Sequence, residues 1–96
     1  MTNAEILEVL RRSEPELRAK GVRHAGLFGS TARGEAGPAS DIDIMIDLDP
    51  DASLWHYAGV KLFIADLFDG PVDVVDRNGL KPNVRPNAVA DLIDAF

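Results

Sequence analysis

The sequence predicts an α+β fold, a three-stranded mixed β-sheet with flanking helices, and three patterns carry that reading. The segment "DIDIMIDLD", Asp41 to Asp49, alternates polar and apolar residues as a strand with one buried face does. The first 20 residues hold two helix-capping patterns with apolar residues at helical spacing. Between "DIDIMIDLD" and a further β-like run, "VDVVD", lies a helical stretch, so those two strands need a crossover and should run parallel.

Each element follows from local chemistry. Thr2-x-x-Glu5 is a capping box, and Ile6, Leu7, Val9 and Leu10 make a first helix from Thr2 to Arg12. Ser13-x-x-Glu16 repeats the cap, Pro15 suits a first turn and Gly21 a stop, so a second helix ends near Lys20. Val22 to Phe28 reads as a first strand, Gly29 as a turn, and Ser30 to Arg33 as one helical turn. In the second strand Ile42, Ile44, Ile46 and Leu48 point one way, and Asp41, Asp43, Met45, Asp47 and Asp49 the other. Leu54 to Phe68 is helical, "DGP" turns the chain, and "VDVVD" is the third strand. Pro86 begins a C-terminal helix running towards Phe96, with Leu92, Ile93 and Phe96 read as core.

The loop "GEAGPAS" is too short for a crossover helix, so the first and second strands should be antiparallel. That topology brings the end of the first strand together with the beginnings of the second and third. Gly29, Ser30, Asp41, Asp43 and Asp73 then share one edge of the sheet.

Residues 1–96 fit one domain with a single modest core, so a site must be shallow or be completed by a partner. Sixteen acidic against ten basic residues give a net charge of −6, which argues against unaided nucleic-acid binding and favours a basic partner. No apolar run approaches the ~20 residues of a membrane span. The N-terminus lacks a basic region before an apolar one, and there is no cysteine, so a soluble, cytoplasmic protein without thiolate metal sites is expected.

Carboxylates held close together repel unless a cation or a proton sits between them. Asp41 and Asp43, two apart on a strand, share a face with Cα atoms roughly 6.5–7 Å apart, which suits Mg²⁺ and its oxygen ligands. Asp73 on the neighbouring strand would complete a site for two ions ~3.5–4 Å apart, the arrangement that steadies attacking and leaving oxygens in phosphoryl transfer. Gly29 permits close ligand approach, Ser30 and the backbone N–H groups after it suit a triphosphate, and Arg33 can add a bidentate phosphate contact. Asp76 has the wrong parity, and Asp47 lies about 13 Å along the strand from Asp43.

Rival motifs fail. Gly29-x4-Gly34 has Glu35 where a P-loop needs Lys. An EF-hand loop starting at Asp41 puts Ile46 at the required glycine and Ala52 at the required glutamate. His24 and His56 are isolated and read as structural.

Gly29-Ser30, ten residues, then Asp41-x-Asp43 resembles the motif of the DNA polymerase beta-like nucleotidyltransferase superfamily, and "GLFGSTARGEAGPASDIDIMIDLD" is similar to its minimal nucleotidyltransferase branch. The resemblance implies that Asp41, Asp43 and Asp73 bind two Mg²⁺ and that Asp73 orients or deprotonates the attacking hydroxyl. It implies transfer of AMP from ATP with release of pyrophosphate. It also implies an antitoxin whose partner is a HEPN-domain ribonuclease toxin from an adjacent gene, silenced by adenylylation of a tyrosine. Two alternatives differ in class: neutralisation of the partner by binding alone, and nucleotidyl transfer to a small molecule.

Overall fold

The computed structural model describes residues 2–32, 42–77 and 92–96. Along the chain run α1 (Asn3–Arg12), α2 (Glu14–Ala19), β1 (Val22–Leu27), α3 (Gly29–Ala32), β2 (Ile42–Leu48), α4 (Leu54–Asp66), β3 (Val72–Asp76) and β4 (Ile93–Asp94). The sheet order is β3-β2-β1-β4. As the loop and crossover lengths require, β1 and β2 are antiparallel and β2 and β3 parallel.

Helix α1 begins at the expected capping box: Thr2 Oγ1 accepts the Glu5 N–H at 3.2 Å, and Glu5 Oε1 accepts the Thr2 N–H at 3.0 Å. Ser13 differs from expectation and makes no side-chain cap. Its N–H donates back to Val9 and Leu10 carbonyls while its own carbonyl accepts from Leu17, so α1 runs almost directly into α2. A near-helical φ of −90° and ψ of 3° there leave the side chain no capping geometry.

Alternation in β2 sorts the sheet into two faces. Ile44, Ile46 and Leu48 join Val22, Ala25, Leu27 and Val74 beneath Leu10 of α1, Leu17 of α2, and Val60 and Ile64 of α4. All three longer helices therefore contribute to the apolar layer on one face of the sheet. Asp43 and Met45 stand on the other face by the period of two.

The expected three-stranded sheet has four strands, and the C-terminal segment is extended where a helix was predicted. Gly26 pairs with Asp94 and Leu27 with Ile93, and the Ala95 N–H donates to the Ala25 carbonyl at 2.8 Å. Edge N–H and C=O groups of β1 supply what a terminal helix could not use. Gly26 admits the new strand: a Cβ there would lie 2.4 Å from the Ile93 carbonyl oxygen. Arg11 Nε also donates to the Ala95 carbonyl at 2.9 Å, and Phe96 packs against the core while Ile93 is 38% exposed. The predicted helix start at Pro86 lies outside the described residues. None of the described helices is long and apolar enough to cross a membrane.

Candidate active site

The site is built where β1 hands over to α3. Phe28 donates its N–H to the Asp43 carbonyl at 3.2 Å, tying the end of β1 to the start of β2. Gly29 then takes φ +61°, a left-handed backbone that favours glycine. It has a second reason to be glycine, because a Cβ there would stand 3.1 Å from Asp43 Oδ2. The bare turn thus lets a carboxylate lie against it.

Thr31 fixes that carboxylate, and the sequence reading passed over it. Its buried hydroxyl accepts the Asp43 N–H at 3.0 Å and lies 3.5 Å from Asp43 Oδ2 as donor. The available signal was a β-branched hydroxyl residue inside a one-turn helix, a poor helix former with a short polar reach. Asp43 is half-buried and so held in one place, unlike a solvated strand residue.

Asp73 arrives from β3. In the parallel register Asp43 pairs with Asp73, and the Ile42 N–H donating to the Pro71 carbonyl at 3.1 Å opens the ladder beside them. Neighbouring strands are ~4.8 Å apart, so the two carboxylates rise side by side from one face. Asp73 is exposed and Asp43 half-buried, which leaves an open mouth on the β3 side. Asp41, Arg33 and the Ser30 side chain lie outside what is described. Among the described residues no group of three His, Asp or Glu side chains could share an ion, so Asp43 and Asp73 are the part of the predicted set that can be placed. Hard oxygen donors on adjacent strands suit Mg²⁺, which takes one or two protein carboxylates and fills its shell with water and substrate phosphates.

The nucleotidyltransferase domain family matches residues 5–95. The chain belongs to the nucleotidyltransferases. It is 33% identical over 94 residues to the protein adenylyltransferase MntA of Thermococcus cleftensis, covering 97% of this chain and 95% of that one. A Methanocaldococcus jannaschii protein, provisionally named a protein adenylyltransferase, is 37% identical over 94 residues with 96% of each chain covered. Among solved structures, one provisionally described as a minimal nucleotidyltransferase superposes with a TM-score of 0.73 at 31% identity, covering 97% of this chain and 95% of that one. A toxin–antitoxin structure with AMP-PNP shares the fold, with a TM-score of 0.70 at 21% identity over 90% of this chain and 72% of that one.

Among the described residues of this minimal nucleotidyltransferase, Asp47, Asp49 and both histidines have places of their own away from the pair. Asp47 faces His24 across the β1–β2 ladder, four residues beyond Asp43. Asp49 Oδ1 lies 3.9 Å from Arg23 Nε, an exposed pair of small energetic value. His56 belongs to a capping box: its Nδ1 accepts the Ser53 N–H at 3.0 Å at the start of α4. Tyr57 lies nearer the site, donating its hydroxyl to the Val74 carbonyl at 2.7 Å. Burial, and then the negative charges of Asp73 and Asp76, push its phenol above the ordinary value of 10.0.

Proposed function

We propose that this nucleotidyltransferase transfers AMP from ATP to a tyrosine hydroxyl of a HEPN-type ribonuclease toxin encoded by an adjacent gene, and so acts as an antitoxin. The observation that carries the reading is Asp43 beside Asp73 at the Gly29 turn, in a chain 33% identical to a protein adenylyltransferase. Asp41, Asp43 and Asp73 would hold two Mg²⁺, with Gly29, Ser30 and Arg33 receiving the triphosphate. When bound, such ions neutralise phosphate charge and steady the attacking and leaving oxygens.

The roles of the protein groups follow from their exposure. Asp43, seated on Thr31 and Gly29, is a rigid anchor for the phosphate side. Asp73, open to solvent, is the group that can meet an incoming hydroxyl and take its proton. A bond forms between the tyrosine oxygen and the α-phosphorus, the bond from that phosphorus to the β-bridging oxygen breaks, and pyrophosphate leaves. The shallow mouth gains its far wall from the acceptor protein itself, which the net negative charge of −6 would steer if the acceptor is basic there.

Labelled ATP, Mg²⁺ and the product of the neighbouring gene test this directly. The wild-type protein should label a tyrosine of that product, chelation should stop it, and Asp41→Asn with Asp43→Asn should lower the rate by at least about 100-fold. Undiminished labelling by the double variant would reject the catalytic assignment, and toxin neutralisation by it in cells would favour binding alone.

A further inference from the structure

We infer that the outer face of α4 is a self-association surface, on which a second copy of this chain packs its own α4 antiparallel about a two-fold axis. Helix α4 is apolar on both sides. Val60 and Ile64 are buried against the sheet, yet Trp55 is 86%, Leu54 79% and Leu62 70% exposed. At 100° per residue Leu54, Trp55, Ala58, Gly59, Leu62 and Ala65 fall in one arc of about 140° on the solvent side. Asp66, the last helical residue, is the sole charged side chain in that arc. A helix face whose one charge sits at its last residue is out of keeping on a chain of net charge −6, and large exposed apolar patches mark interaction sites.

The pattern of sizes selects the occupant. An antiparallel two-fold crossing level with Val60 sets Trp55 over Ala65 of the other copy and Leu62 over Ala58. Trp55 and Leu62 thus each meet a small residue, the self-complementarity an isologous interface requires, while Leu54 falls against Asp66 at the two ends of the crossing. A tryptophan covers about 150–250 Å², so two copies with their leucines would bury on the order of 1,000 Å², the threshold of a specific interface. The acceptor of AMP is a poor alternative occupant. It must reach Asp43 and Asp73, which leave the sheet on the face opposite the helices, while the α4 arc looks out from the helix layer. Pairing through α4 would leave both catalytic mouths open.

Trp55 is the one tryptophan in the chain, so its fluorescence reports this face alone. The wild-type chain, followed by sedimentation and by Trp55 emission from about 1 μM to 1 mM, should dimerise as its emission moves to shorter wavelength. Leu62→Glu and, separately, Ala58→Glu keep the tryptophan and should weaken the dimer at least about tenfold, with unchanged circular dichroism and unchanged AMP transfer. A monomer at every concentration would overturn the inference. So would a dimer indifferent to both variants, or a Trp55 signal that shifts only when the toxin is added.

Discussion

Asp43 and Ile44 are neighbours in β2, and they serve opposite faces of the sheet. Ile44 is fully buried in the layer shared by α1, α2 and α4. Asp43 faces the other way, held by a glycine turn and a threonine hydroxyl. One face of the strand builds the main apolar layer, and the other, where Met45 is also buried, presents the carboxylate proposed to carry the chemistry. Substitutions at adjacent positions should therefore separate stability from activity. Ile44→Ala removes a side chain with no exposed surface and should cost about 2–5 kcal/mol, a large share of the stability of a small domain, measured by denaturant unfolding. Asp43→Asn should leave the unfolding midpoint close to wild type while activity is lost. Equal loss of stability in the two would break the distinction between the faces.

Thr31 sharpens the comparison, because it belongs to both sides. It is buried like a core residue, but its hydroxyl is spent on Asp43. Thr31→Val keeps the shape and removes the acceptor of the Asp43 N–H, so it should cost about 1–3 kcal/mol. If the threonine also aims the carboxylate, AMP transfer should fall by roughly 10–100-fold, the usual effect of losing a group that orients a metal ligand. A variant that loses stability with full activity would make Thr31 a packing residue only.

The same two faces explain what could be read in advance. Alternation and capping depend on residues close in sequence, so α1, α2, β2, α4 and the antiparallel and parallel pairings were legible, and with them the meeting of Asp43 and Asp73. What escaped depends on partners far along the chain. Ile93 and Asp94 carry too short a signal to announce a strand, and they become one because β1 has a free edge and Gly26 has no side chain in the way. Ser13 shows a capping pattern, but α1 runs so directly into α2 there that the side chain makes no cap. Thr31 acquires its role only when β2 folds against α3. Ser30, Arg33 and Asp41 were named from spacing and from the resemblance, and assays of variants decide them.

The smallest expected effect concerns the electrostatic link across β3. Tyr57 stands on the core side of the sheet, and its phenol is raised by burial first, then by Asp73 and by Asp76. A phenol raised in the folded state favours folding while it is protonated, so its contribution is complete below about pH 10 and is lost as pH rises beyond the ordinary value. It is the sole tyrosine, so ultraviolet titration of the phenolate is free of overlap. Asp73→Asn should bring that titration partway down towards the ordinary value, leaving the parts caused by burial and by Asp76. A midpoint that does not move would mean that the charge of Asp73 is spent on the open face, and that the two sides of the sheet are electrostatically independent.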